Sequence, residues 1–273
     1  MTIDEAIRSL RQDPGCADLV RDAYLGRDVA DSSRRFEASA EFEAVLAILG
    51  ERLNGATVLD LGAGTGIASA AFVRAGAGRV IAAEPDESDE VGRGAMARAD
   101  ADFEVIDAVG EQLPLPDASV DIVYARQVLH HAQDLERLLA EVARVLGPGG
   151  LLLACREHVA DDDGQLQIFL ANHPVHQLAG GENAFPLPRY VAAMRAAGLV
   201  NIRVLDPWES VINAFPAVRS AEELRLMPVE RLRSRLGGLG RLAAAIPGVQ
   251  QLFWRRIRRP DPGRMYSFIA HKT

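Results

Sequence analysis

Cysteine is scarce in this chain. Cys16 and Cys155 are the only two in 273 residues, far apart and in no metal-binding spacing. That argues against a disulfide scaffold or a zinc module and fits a reducing cytoplasm. Lysine is almost missing: of 30 basic residues only Lys272 is lysine, which reads as a compositional bias. Aromatic residues make up 5%, and no recognisable RNA-binding module flanks the core, so no nucleic-acid partner is expected. No run approaches the ~20 apolar residues of a spanning helix. The start, Met1-Thr2-Ile3-Asp4-Glu5, has no basic region followed by an apolar core, so no signal peptide is expected and the localisation expected is cytoplasmic.

What remains is ordinary globular composition, 48% hydrophobic and 25% charged, in a length that suits one large domain with insertions. The net charge of −8 is unevenly spread. Residues 219–264 carry 11 Arg against Glu222, Glu223, Glu230 and Asp261, which makes that stretch basic and the rest strongly acidic. A solvated helical face or contact with something anionic both account for it.

The stretch Val58-Leu59-Asp60-Leu61-Gly62-Ala63-Gly64-Thr65-Gly66-Ile67 organises the chain. A short apolar strand runs into three alternate glycines, and a helical pattern follows at once. Glycine is needed where the backbone takes positive φ or a ligand approaches the main chain closely. The new helix offers unpaired N–H groups and the positive end of its dipole. The pattern is therefore a cradle for a nucleotide-like ligand with an anionic end. Ile67 stands where the dinucleotide fingerprint wants a small residue, which disfavours a nicotinamide oxidoreductase, and no Gly-Lys-Ser/Thr follows to make a phosphate-binding loop.

Asp-x-Gly-x-Gly-x-Gly after an apolar strand resembles the first motif of class I S-adenosylmethionine (SAM) dependent methyltransferases. Leu113-Pro114-Leu115-Pro116-Asp117, Leu129-His130-His131 and Leu146-Gly147-Pro148-Gly149-Gly150 then follow in order. Together they resemble the small-molecule methyltransferases that include ubiquinone and menaquinone biosynthesis enzymes. The resemblance implies SAM as cofactor and S-adenosylhomocysteine as product. It implies cofactor contacts at Asp60, Gly62, Ala63 and Gly64, at Glu84 and Pro85 for the ribose, at Asp107 and Ala108 for adenine, and at Arg126. Glu84 also has a direct physical reading: an acid at a strand end, 18 residues past Gly66, can accept two hydrogen bonds from a ribose diol.

Strands are expected at 58–61, 79–83, 103–106, 120–125, 151–155, 201–205 and 265–271, with helices at 67–75, 87–99, 134–146 and 188–197 between them. The fold class is α/β, a doubly wound, mostly parallel seven-stranded Rossmann-like sheet. The family places its last strand antiparallel, between the fifth and sixth. Residues 1–53 read as an N-terminal helical cap on the SAM-binding domain at 54–273. Insertions at about 157–187 and 209–264 are expected to form a lid over the acceptor, and Tyr24, Arg35 and Phe36 are candidates to sit over the ligands.

Methyl transfer from a sulfonium is a nucleophilic displacement, so alignment and water exclusion supply much of the gain. An oxygen acceptor must also lose a proton, and histidine is the usual base. His131 is the first candidate, since the family brings that turn near the methyl, followed by His130; His158, His173 and His176 are further options. His173, His176, Glu182 and Asn183 in the first insertion are candidate acceptor contacts. Glu157, His158, His173, His176, Glu182 and the acids at 161–163 could supply ligands to magnesium, but magnesium prefers oxygen ligands, so no metal is expected. The expected activity is methyl transfer to a small polar acceptor, an oxygen of a glycan precursor or specialised metabolite. A non-catalytic SAM sensor or assembly protein and a lipid-linked acceptor are the alternatives. Residues 239–259, an apolar stripe with Trp254 beside Arg255, Arg256, Arg258 and Arg259, could contact an anionic membrane surface, but a lid or homodimer interface is the preferred reading.

Overall fold

The computed structural model of the chain describes every residue except 238, 240–244, 247, 259 and 260. Seven strands form one sheet: β1 (Thr57–Leu61), β2 (Arg79–Ala83), β3 (Glu104–Ile106), β4 (Val120–Arg126), β5 (Leu146–Val159), β6 (Leu199–Leu205) and β7 (Arg264–Lys272). Their order is β3-β2-β1-β4-β5-β7-β6, with β7 antiparallel to both neighbours. The expected doubly wound sheet and its inserted last strand are both present. The order reverses between β1 and β4, and ligands of such sheets bind beyond the strand carboxyl ends at that point. Register brings the ends level there, Leu61 opposite Ala83 on one side and Ala125 on the other.

Alternating side chains divide the sheet's two faces. Leu59, Leu61, Val123, Ala125 and Leu152 pack with Leu138, Leu139 and Val142 of α7 (Leu135–Val145) and with Tyr190 and Met194 of α10 (Leu187–Ala196). Val58, Ile122, Tyr124, Leu151 and Leu153 face α4 (Ala40–Leu49) and α5 (Ile67–Arg74). A mostly parallel sheet needs both faces covered, which explains its near-continuous apolar strands.

The N-terminal segment folds as α1 (Ile3–Gln12), α2 (Ala17–Asp22), α3 (Val29–Glu37) and then α4. Phe36 and Leu49 lie in separate helices, α3 and α4. The Ser39 hydroxyl accepts from the Phe42 N–H at 3.1 Å and donates to the Phe36 carbonyl at 2.6 Å, closing one helix and capping the next. Five aromatic rings run from this segment to the sheet. Tyr24 meets Phe36, Phe36 meets Phe42, Phe42 meets Phe72 and Phe72 meets Tyr124, at centroid distances of 5.4, 5.2, 5.4 and 5.0 Å.

Two further expectations change. The helix expected over 87–99 shrinks to α6 (Arg93–Met96). The Asp86 carboxylate accepts from Ser88 N–H, and the Ser88 hydroxyl accepts from Glu90 and Val91 N–H, offering the backbone local bonds that compete with a helix. A side chain at Gly92 would strike the Asp86 carbonyl at 2.2 Å, so the tight turn requires glycine. The fifth strand runs past Cys155 to Val159, so Glu157 and His158 lie in the sheet and the first insertion starts beyond them. A register shift between Ala154 and Glu157, with Arg156 at φ 63°, lets β5 continue pairing with β7. Irregularities of this kind re-aim side chains near sites.

The first insertion holds α8 (Asp163–Asn172) and α9 (Pro174–Ala179). The second holds α11 (Val211–Ala214), α12 (Ala221–Leu236) and α13 (Val249–Ile257). In the stripe at 239–259, Leu239, Ile246 and Leu252 are exposed, whereas Trp254 packs with Val211, Ala214 and Val218. Leu242 and Arg259 of that stripe lie outside the described residues. No described helix is long and apolar enough to cross a membrane.

Phe72 is fully buried at the middle of the aromatic run. Phe72→Ala is expected to lower unfolding free energy by roughly 3–5 kcal/mol, measured by urea denaturation. A loss below about 1 kcal/mol would mean that the run does not tie the N-terminal helices to the sheet.

Candidate functional site

A cavity of about 630 Å³ opens at the reversal point between β1 and β4. One wall is the glycine loop: Asp60, Gly62, Ala63, Gly64 and Thr65, then Ile67 and Ala68 at the start of α5. Gly62, Gly64 and Gly66 all take positive φ, at 63°, 56° and 78°. A Cβ on Gly62 would come within 2.6 Å of Val128 Cγ2, so the loop after β1 packs directly on the turn after β4. Gly66 caps α5 without a side-chain bond, which leaves the first helical turn without a competing side chain. These are the features of a cradle for a nucleotide-like cofactor.

Two buried acids support this loop. Asp60 is 2% exposed, and its Oδ2 accepts from Ser69 Oγ at 2.6 Å. Burial pushes its carboxyl up to about 7, against the Ser69 bonds, which favour the charge. Glu84 accepts from Gly64 N–H at 2.8 Å through Oε2 and from Asp86 N–H at 2.9 Å through Oε1, which latches the end of β2 to the loop. Burial raises its carboxyl, and those two amide bonds offset part of the rise.

Beyond the loop the wall is charged. Arg126, at the end of β4, donates to both oxygens of Glu41 at 2.7 and 3.1 Å. Glu41 has no exposure. Burial works against its charge, and Arg126 and Arg156 overcome it and lower its pKa. Arg156 donates to the carbonyls of Ile212 and Phe215, both at 2.7 Å, and its Nε lies 4.0 Å from Glu41. Arg156 Nε is buried with no hydrogen-bond partner among the described residues.

The far wall is a cluster of imidazoles and carboxylates. His130 and His131 form a 3-10 turn, Leu129–His131, after β4. Glu157 of β5 is fully buried and accepts from Val128 N–H, His130 N–H and His130 Nδ1, the last at 2.7 Å. Burial opposes the His130 charge, but Glu157 and Glu182 outweigh it and lift the imidazole to about 9. Glu182, also buried against its charge, is drawn down to about 2 by His130, His131 and His173. His131 keeps 43% of its side chain open, and its Nδ1 meets the Gly181 carbonyl at 3.3 Å. Enclosure of the rest of the ring and the neighbouring His130 charge lower its pKa. His158 donates from Nδ1 to the Gly263 carbonyl at 2.7 Å; burial, then the His130 charge, push it to about 3.

The cavity brings together Asp60, Gly62, Ala63, Gly64, Arg126, His130, His131, His173 and Glu182 of the residues singled out in the sequence. Others fall elsewhere. Pro85 and Glu84 present their carbonyls to Arg93, at 3.0 and 2.9 Å. Asp107 is exposed and paired with the same Arg93 at 2.8 Å, and Ala108 is in the core with Leu113 and Leu115. His176 accepts from Glu182 N–H at 3.3 Å behind the wall, and Asn183 is outside the lining. Glu41 and Arg156 escaped sequence reading altogether. Each lies in a stretch whose pattern reads as ordinary helix or strand, and no local signal marks a charge as buried.

Comparison with known proteins agrees with this geometry. A model of the methyltransferase domain matches residues 59–154. A dimethylglycine N-methyltransferase of Parasynechococcus marenigrum (strain WH8102) is 33% identical over 225 residues, 77% of this chain and 76% of that protein. An uncharacterized methyltransferase of Mycobacterium ulcerans (strain Agy99) is 42% identical over 106 residues, 39% of this chain and 41% of that protein. A solved S-adenosylmethionine-dependent methyltransferase from Mesorhizobium loti superposes with a TM-score of 0.52 at 19% identity. That match covers 86% of this chain and 99% of the other, and it speaks for the fold.

The raised Asp60 carboxyl has a consequence for stability. Between its ordinary value near 3.8 and its folded value of about 7, the folded chain holds a proton that the unfolded chain has released. Stability attributable to Asp60 therefore falls as pH rises through that window, at up to about 1.4 kcal/mol per pH unit. In cofactor-free protein, the fall from pH 4 to 7 is expected to be smaller in Asp60→Asn than in wild type. Equal slopes in paired denaturation series would refute the assignment.

Proposed function

The chain belongs to the class I SAM-dependent methyltransferases, and from that premise we propose that its acceptor is a small polar molecule methylated at oxygen, a glycan precursor or specialised metabolite. The observation that carries the reading is the buried His130–Glu157 pair at the far end of the cavity, with His131 and Glu182 beside it. Oxygen acceptors need a proton removed before or during attack, and a held imidazole cluster is suited to that task.

The cofactor is SAM, which supplies an electrophilic methyl on a sulfonium. The residues present suit it. Three positive-φ glycines leave the main chain open to close approach, and a side chain at Gly62 would fill the turn. We assign cofactor contacts to Asp60, Gly62, Ala63, Gly64 and Arg126, which line the cavity, with Glu84 acting through its hold on Gly64. Leu19, Tyr24, Leu25, Pro174, Val175 and Met265 complete the wall and exclude water from the acceptor. His130 is oriented by Glu157 through Nδ1, which turns its other nitrogen away from that carboxylate. His131, bonded through Nδ1 to Gly181, keeps Nε2 as the lone pair that takes the acceptor proton.

An amine acceptor is the second reading, favoured by the relative named for dimethylglycine N-methyl transfer. A tertiary amine attacks through its lone pair and, once its ammonium form has released its proton to water, loses none in the transfer, so the two readings differ in their need for a positioned base.

His131→Ala is expected to lower kcat for hydroxyl acceptors by roughly 10²–10⁴-fold, while S-adenosylhomocysteine binding, followed by calorimetry, is retained. The assay is product formation over a panel of hydroxyl and amine acceptors. Turnover of amines alone, unaffected by His131→Ala, would replace the oxygen reading with the amine one.

A further inference from the structure

The imidazole–carboxylate cluster has a feature that proton transfer does not use. His130 Nε2 and His131 Nε2 lie 3.6 and 3.7 Å from the same oxygen, Glu182 Oε2. The donor atoms of these three residues all fall within 4.8 Å of one another. Each imidazole has its other nitrogen committed, His130 Nδ1 to Glu157 and His131 Nδ1 to the Gly181 carbonyl. Both Nε2 atoms therefore turn toward a carboxylate, and neither is close enough for a hydrogen bond. Donor atoms bound to one transition-metal ion at about 2.0–2.2 Å stand about 3–3.6 Å apart, which the two imidazole–carboxylate spans of 3.6 and 3.7 Å approach.

We propose that His130, His131 and Glu182 bind a divalent transition-metal ion at the acceptor end of the cavity. Two imidazoles and one carboxylate suit zinc, iron(II), cobalt or nickel better than magnesium or calcium, which prefer all-oxygen sets. Glu157 is the supporting carboxylate. It is buried, accepts three hydrogen bonds and fixes the orientation of His130, as such partners do for metal-bound histidines. His173 Nδ1 stands 3.7 Å from Glu182 Oε1 but accepts from His176 N–H, which leaves it outside the ligand set.

An independent observation points to a ligand at this place. His158, 4% exposed, lines the same cavity, and its ring centroid is 4.9 Å from that of His130. Its Nε2 is buried with no hydrogen-bond partner among the described residues. Three protein ligands leave coordination positions for water or for an acceptor hydroxyl, and a metal-held water is a partner of the kind His158 Nε2 lacks.

The role of the ion rests on the oxygen-acceptor reading. A coordinated hydroxyl becomes more acidic and loses its proton to water, so in the loaded protein the ion takes over from the His131 lone pair. The site itself does not depend on that reading.

The test uses the full chain, stripped with a chelator and dialysed. Zinc is titrated by calorimetry, and cobalt(II) is added as a spectroscopic probe of ligand geometry. One ion per chain is expected, with visible cobalt bands of an imidazole–carboxylate site. Glu182→Gln and His131→Ala are expected to weaken zinc at least tenfold, and Glu157→Gln by roughly 10–100-fold through His130. Circular dichroism and S-adenosylhomocysteine binding check that the variants remain folded. Absence of stoichiometric binding, or binding unchanged in Glu182→Gln and His131→Ala, overturns the proposal. Hydroxyl turnover by the stripped protein, with no stoichiometric zinc binding in the titration, sinks the metal site and leaves the oxygen reading intact. Stoichiometric zinc lost in the variants, with turnover of amines alone, upholds the site and removes the oxygen reading.

Discussion

Charge without access to water has to be balanced where it stands, and that constraint shapes the carboxyl edge of this sheet. Glu41 and Glu157 have no exposure, and each is matched by a cation delivered from another element. Arg126 reaches Glu41 from β4, and Arg156 approaches it from the irregularity in β5. His130 meets Glu157 from the turn after β4. Losing one member of such a pair strands the other, at a cost of about 3–5 kcal/mol, so the arrangement holds the N-terminal helices, β4 and β5 in one register. The same pairs form the walls of the cavity.

The cavity therefore has two unlike ends on one rigid base. At one end, glycines with positive φ open the backbone, and Glu84 holds the loop by the Gly64 amide. At the other, imidazoles and carboxylates crowd together, with His130 and Glu157 buried. A methyltransferase needs this division. The donor end recognises a large cofactor mainly by shape and main-chain contacts, while the acceptor end supplies the chemistry of one oxygen or nitrogen. The N-terminal helices close the space between the ends, and the aromatic run from Tyr24 to Tyr124 fixes their position on the sheet.

Much of this was legible locally. Strand β2 lies at the residues expected from the pattern, and β1, β4 and β7 differ by a residue or so at their ends, because buried parallel strands write themselves as short apolar runs between glycines and acids. Asp134 caps α7 as its place before an apolar helical stripe implied. Legibility failed where side chains compete with the backbone or where a partner is distant. Asp86 and Ser88 dissolve the first half of an expected helix by bonding neighbouring amides.

The order of residues along the chain determined the fold class, the glycine cradle and the cofactor, since each is written in local patterns of strand, turn and following helix. Only the tertiary structure decided which charges are buried and which imidazoles converge. Glu41 and Arg126 are 85 residues apart, and His130 and Glu182 come from different elements. The environment of an ionisable group is set by everything packed around it, and no local pattern in the sequence carries that information.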